Sequence, residues 1–414
     1  KPEVKPYMNY LDQPLDIPLL NNANININLG KLTTKNLSSS DLSLSLRKEQ
    51  QDIDIEFEML NGISSDQSWQ VMDANLKARI ENASVSEGLN KGRPHLANPV
   101  YSFEGSVNLG NPEAFLKDVI DFDYVFDDGS LYSDVLIKGA ANAKDGKFTL
   151  ESLDLISGDK KISLSGKHSI SDEGKKSTQI KAQTQNVVLF SDMLISSQED
   201  KKLSVKQGVQ NTLSSLKSIS QTHNIDVKLL ANDTKFLPAG KVIESFDIDA
   251  SLSENLLAVD DLSIRDKSDN YIAFTSSADL VSKSPKLKLN LSSEFKDFNK
   301  SVYKEYVEHL ISGDLPSKLK VLLEYSGSFD EGDVSVNLTL PKTTLMAKGS
   351  VADPLEDLAS NAFEVQVVST DLSDIADAFY SQKLKRIKLS GATDLYTKIK
   401  FQKNKLSLSE IQGS

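Results

Sequence analysis

Asp52-Ile53-Asp54-Ile55-Glu56-Phe57-Glu58 alternates acidic and apolar residues without a break. Successive side chains of a β-strand point to opposite faces. As a strand, this stretch therefore lines one face with Ile53, Ile55 and Phe57 and the other with four acids. Wound as a helix, the same residues would scatter around the axis, so the period of two selects the strand. The pattern returns in Asn24-Ile25-Asn26-Ile27-Asn28-Leu29, Ser43-Leu44-Ser45-Leu46 and Asn224-Ile225-Asp226-Val227-Lys228-Leu229. It returns again in Lys286-Leu287-Lys288-Leu289-Asn290-Leu291 and Lys398-Ile399-Lys400-Phe401. A chain built this way is mostly β, and its sheets are wet on one face. The functional question is what covers the other face.

Composition narrows the answer. With 414 residues the chain exceeds one typical domain. Hydrophobic content is 39 %, and the apolar residues come singly, which disfavours a core of fully buried parallel strands. The net charge is −12, from 59 acids against 47 bases, with no basic stripe carrying interleaved aromatics, so nucleic acid is not the expected partner. No Cys is present, which excludes disulfides, thiolate metal sites and Cys nucleophiles. No apolar run approaches the ~20 residues of a transmembrane helix. The start at Lys1 and the stop just after a strand-like Leu406-Ser407-Leu408 suggest a fragment or processed piece.

Along the chain, residues 1–20 carry Pro2, Pro6, Pro14 and Pro18 and form an extended lead-in. A first block of repeated strands spans 21–189, with Asn61-Gly62 as a turn signal and Asn111-Pro112-Glu113 opening a short helix over Phe115, Leu116, Val119 and Ile120. Parity breaks once, at Glu151-Ser152, which predicts a bulge or bend. Residues 190–222 are rich in Ser, Lys and Gln and space Leu203, Val209, Leu213, Leu216 and Ile219 at helical intervals. They read as a partly helical linker. A second block runs over 223–414, with short helices at about 299–312 and 371–379. Two internal echoes suggest a repeat architecture: Asn24–Ile27 with Asn224–Val227, and Phe148–Ile170 with Leu257–Leu280.

Catalytic signals are weak. His95, His168, His223 and His309 are isolated, and Glu305 with His309 reads as a surface helix pair. Asp121-Phe122-Asp123 with Asp127-Asp128-Gly129 misses the spacing of a calcium loop. No nucleophile elbow, phosphate loop, dinucleotide fingerprint or zinc motif occurs. Trp69, the single tryptophan, reads as a packing residue in a polar loop. The expectation is a protein that is not an enzyme, with no cofactor and no metal. Three solutions cover the apolar faces: a second sheet, closure into a barrel, or an apolar ligand. On burial physics alone, sandwich or solenoid packing stands ahead of a lipid trough.

The segment Tyr10-Leu11-Asp12-Gln13-Pro14-Leu15-Asp16-Ile17-Pro18-Leu19-Leu20, running into Asn24–Leu32 and Leu37–Leu46, resembles the AsmA family of Gram-negative envelope proteins. Phe148–Leu155 and Leu257–Ile264 are similar to that family's repeated strand pair, and Asn111–Leu116 to its short helix between strands. The 190–222 segment departs from the pattern. The resemblance implies a long, twisted, taco-like open antiparallel β-groove with a few short helices. It implies a periplasmic protein anchored to the inner membrane through a segment absent here. Its role would be bridge-like transfer of phospholipids toward the outer membrane, in outer-membrane biogenesis.

Candidate groove residues are Ile25, Ile27, Leu29, Ile53, Ile55, Phe57, Ile225, Val227, Leu229, Leu287, Leu289 and Leu291. They would contact phospholipid acyl chains. The alternative is a β-rich envelope scaffold that recruits outer-membrane or secreted proteins by β-augmentation.

Overall fold

The computed structural model describes residues 22–413 except 34–36, 51, 65, 82–84, 87–94, 97–99, 113, 115–133, 145–146, 172, 191–204, 238–240, 282–284, 302–317, 329, 353–361, 372–390 and 403–404. The chain divides into two compact units, Lys1–Glu173 and Gly174–Ser414. Each is an open sheet, and the fold is mostly β, as the alternation predicts.

The first unit contains β1 (Asn22–Leu29), β2 (Asp41–Glu49), β3 (Asp52–Ser64) and β4 (Gln70–Glu81). β5 (Val100–Gly110), β6 (Asp134–Lys144), β7 (Lys147–Ser157) and β8 (Lys160–Ile170) follow. All pair antiparallel in sequence order, with short strands at Leu32–Thr33 and Leu37–Ser39 tucked beside β3. Residues directly opposite each other share a face. Ile25 faces Leu46, which faces Ile55, then Ala78, Phe103 and Ala141. Apolar residues thus meet apolar residues from strand to strand, and the acids of β3 meet Lys77 and Arg79 behind them.

The second unit opens with β9 (Lys176–Gln185) and β10 (Val188–Phe190), then α1 (Val205–Ser220). β11 (His223–Leu237), β12 (Lys241–Ser253), β13 (Leu256–Asp266), β14 (Tyr271–Asp279) and β15 (Lys286–Phe295) follow. β16 (Leu319–Gly327), β17 (Glu331–Thr339), β18 (Thr343–Ala352), β19 (Ala362–Ser369), β20 (Thr393–Gln402) and β21 (Lys405–Gly413) complete it. β11 to β21 form an antiparallel meander, whereas β9 and β10 both pair parallel to β11. This parallel pairing departs from the all-antiparallel expectation. Its cause is α1, which returns the chain to the start of a neighbouring strand, as a crossover must. The 190–222 segment therefore carries the crossover helix of the second unit. Leu213 and Leu216 of α1 pack with Ile225, Leu252, Leu257, Ala278, Leu280 and Leu287, covering one strand-end row of that unit's apolar face.

Two local expectations resolve differently. Asn61 has the predicted positive φ of 49°, but the strand runs on to Ser64, so Asn61-Gly62 is a kink inside β3 and no chain reversal. The Glu151-Ser152 parity break is a bulge. Leu150 and Leu153 pair with Gly166 and Leu164, leaving two residues against one. Val259 and Leu262 pair in the same way with Ser276 and Phe274, so Asp260-Asp261 forms a second bulge of the same design. The internal echo of Phe148–Ile170 and Leu257–Leu280 is thereby a structural one. The helix expected at 111–120 is described at Pro112 and Ala114, where the Asn111 side chain accepts the Ala114 N–H at 3.3 Å. Where a helix is expected from about 299, the described residues hold only a 3-10 turn, Phe298–Lys300, followed by an extended Ser301. The rest of the helix at 111–120, residues 302–312 and 372–379 of the other two, the acidic turn at 121–129 and His309 lie outside the described residues.

Polar side chains fix the turns. Asn270 is fully buried between β13 and β14. Its Nδ2 donates to Asp266 Oδ2 at 2.9 Å and to the Asp297 carbonyl at 3.3 Å. Its Oδ1 accepts the Lys296 and Asp297 N–H groups at 3.0 and 3.1 Å. One side chain thus ties the β13–β14 turn to the end of β15, beside the edge-to-face pair of Phe295 and Phe298.

Candidate functional site

All twelve candidate groove residues lie on the apolar faces. Ile25, Ile27, Leu29, Ile53, Ile55 and Phe57 share the face of the first unit. Ile225, Val227 and Leu229 share that of the second through their partners Leu252, Ala250 and Ile248. Leu287, Leu289 and Leu291 join them through Ala278, Ser276 and Phe274. Their surroundings differ. Ile53 is buried against Ile80, whereas Ile25 and Ile27 are 49 % and 43 % exposed.

The middle of the first unit decides between covering by protein and an open face. Leu76 and Phe103 sit centrally in β4 and β5, yet they are 44 % and 45 % exposed. A stacked sheet would bury both, so the sandwich weighed from sequence does not cover this part of the unit. Burying such a side chain completely is worth about 1.5–3 kcal/mol, so half-exposure leaves roughly 1 kcal/mol per residue unrealised.

Between these residues lies a concave pocket of about 450 Å³. Phe57, Leu76, Phe103, Ile137, Leu150 and Leu153 wall it, and Gly105 and Gly139 form its floor. The two glycines are direct cross-strand partners. A Cβ on Gly105 would stand 2.6 Å from the Asn75 carbonyl oxygen, so β4 closes in where a side chain would be. Glycine inside a strand commonly marks such a close approach. Apart from Phe57 and Ile55, the lining was not singled out from the sequence. The signal was there in Tyr101-x-Phe103-x-Gly105-x-Val107-x-Leu109, which has the same period of two with a gap at its centre.

One end of this face is closed by a core of Met59, Trp69, Val71, Ala74 and Leu109. Trp69 is thus a packing residue, as its default reading has it. The turn before it is organised by Asp66, which accepts the Ser64 hydroxyl at 2.7 Å, the Ser68 N–H at 3.0 Å and the Ser68 hydroxyl at 2.6 Å. These bonds, those of Ser68 foremost, lower its pKa from 3.8 to about 2. A carboxylate bound more tightly to its partners than to a proton stabilises the fold above the unfolded pKa, and that contribution disappears as pH falls through the folded value. Wild type is therefore expected to be more stable than Asp66→Asn by a constant amount above about pH 4, the difference closing between 3.8 and about 2. Urea unfolding at stepped pH measures it, and a gap that persists below pH 2 would remove Asp66 from the account.

The opposite face of the same strands is ionic. Lys77 pairs with Glu56 at 3.4 Å, and Arg79 pairs with Asp52, Asp54 and Glu81 at 3.0, 3.8 and 3.1 Å. These pairs are solvent-exposed, so they keep this face wet more than they stabilise it. In the second unit, Lys228 and Asp249 do the same at 2.5 Å. Asp247, on that face, has its carboxyl pKa raised by burial and by Asp261. Among the described residues no group of three or more His, Asp or Glu is placed to hold a metal ion. No described helix is long and apolar enough to cross a membrane.

Comparison with protein-family models, with curated proteins and with solved structures finds no match to this chain.

Proposed function

We propose that the protein holds lipid acyl chains on its apolar sheet faces and acts as a non-enzymatic, bridge-like lipid carrier of the AsmA type. The observation that carries this reading is the exposed apolar centre of the first unit, with a pocket whose walls and floor are apolar side chains and glycine. Scale supports it. Eight strands at ~4.8 Å spacing make a face about 34 Å wide, and strands of eleven residues at ~3.3 Å reach about 36 Å. Both exceed the ~15 Å depth of one leaflet's hydrocarbon. Phospholipid is the expected cargo. The periplasm, with an inner-membrane anchor and delivery toward the outer membrane, is the setting that the family resemblance supplies.

Native mass spectrometry of the purified chain, with lipid extraction of the same sample, tests the reading. Phospholipid is expected to co-purify and to be lost from Ile55→Asp, because an unpaired charge on the acyl path costs several kcal/mol. A folded wild type free of lipid would overturn the reading. The β-augmentation scaffold, with β1 and β21 as edge strands, would then take its place.

A further inference from the structure

The interior of the first unit's apolar face carries no charged side chain among the described residues, and Lys48 stands at its margin. Lys48 pairs across the ladder with Ala23 on one side and Ile53 on the other, so it shares their apolar face. The other cations of β2 to β4 lie on the ionic face with partners: Arg47 with Glu49, Lys77 with Glu56, and Arg79 with three acids. Among the described residues Lys48 makes no ion pair. Its neighbours in sequence and across the turn, Glu49 and Asp52, point to the ionic face with the rest. Lys48 is partly exposed beside Ile53, itself 3 % exposed, and lacks the anion that its fellows have.

Its position on the sheet has a measure. Lys48 lies in the row of Ile53, Ile80 and Tyr101, and the glycine floor lies in the row of Phe57, Leu76 and Gly105. From β2 to β5 is three inter-strand spacings, about 14 Å, and the rows are four residues apart, about 13 Å. The diagonal is about 20 Å, which matches one leaflet of a bilayer measured from headgroup to chain end.

We propose that Lys48 binds the phosphate of a glycerophospholipid whose acyl chain runs diagonally over Ile55 and Ala78 to end on Gly105 and Gly139. The lysine is then a specificity residue: it selects phosphate-bearing lipids over neutral ones of equal chain length. This inference rests on the lipid-carrier reading, and the test separates the two.

The full chain is loaded in parallel with dipalmitoyl phosphatidylglycerol and with dipalmitoylglycerol, and retained lipid is counted by native mass spectrometry. In Lys48→Gln, retention of the phospholipid is expected to fall about three- to tenfold, the weight of one charge-assisted bond at an exposed margin. The neutral lipid should be retained as in wild type, and Lys48→Arg should restore the phospholipid. An equal loss of both lipids, or no loss of either, overturns the role of Lys48 while leaving the carrier reading intact. Binding of inorganic phosphate to wild type that is lost in Lys48→Gln while phospholipid retention is unchanged would assign the lysine to a free anion and also overturn it. A wild type that retains neither lipid overturns the carrier reading, and this inference falls with it.

Discussion

Gly139→Phe is expected to cut the lipid retained by the first unit at least tenfold without unfolding it. A Cβ at Gly139 would meet Leu153 Cδ1 and the Ser152 carbonyl at 3.4 Å, ordinary contact, so the side chain can be rooted where it stands. The ring then has the 450 Å³ pocket to enter, where Phe57, Phe103 and Leu153 receive it. It would put protein of the same polarity where the proposed acyl chain would lie. This separates it from Ile55→Asp, which repels a chain by charge. Removing a strand-interior glycine also lifts a backbone penalty of about 0.5–1 kcal/mol, so the melting temperature should hold or rise. Gly105 would not serve, because its new Cβ would collide with backbone. Unchanged lipid retention in a folded Gly139→Phe protein would show that the pocket is not on the acyl path.

Asn270→Ala is expected to be the most damaging single truncation among the turns. It removes two donated and two accepted hydrogen bonds at a site with no water access. The Lys296 and Asp297 N–H groups lose the Asn270 acceptor, and the buried Asp266 carboxylate loses the Asn270 side-chain donor. Each unsatisfied buried group costs about 1–3 kcal/mol, so the total should reach about 3–5 kcal/mol. The second unit spans 174–414. At about 2–4 °C per kcal/mol for a unit of that size, its transition should drop by roughly 6–20 °C. Differential scanning calorimetry with hydrogen exchange on β13 to β15 reads the loss. A drop of under 2 °C would mean that the turn keeps its geometry without Asn270.

Much of this structure can be read in the sequence, and the reason is the strand period. Ile53, Ile55 and Phe57 share a face because nothing else is compatible with their spacing, and each neighbouring strand repeats the rule. The Glu151-Ser152 bulge was legible for the same reason, as the one place where parity fails. Asp260-Asp261 breaks parity identically and was not singled out. Asn61 was legible as a left-handed residue but not as a kink, since its φ does not say whether the chain reverses afterwards. The parallel pairing of β9 with β11 was not legible, because alternation assigns a face and never a partner. The pocket was hidden for that reason too: Gly105 and Gly139 are unremarkable apart, and make a floor only once the register sets them side by side. Lys48 looked like one cation among many until its face was known.

The meander itself has a consequence for how such a chain could change over generations. From β1 to β8, and again from β11 to β21, each strand holds on to the one before it and the one after it. Duplicating a hairpin would therefore lengthen the apolar face by two spacings, about 10 Å, and leave every other ladder in place. Two bulges of one design stand 109 positions apart, at Glu151 and Asp260. The width of the apolar face is then a modular quantity, adjustable by gene-level duplication without redesign of a core.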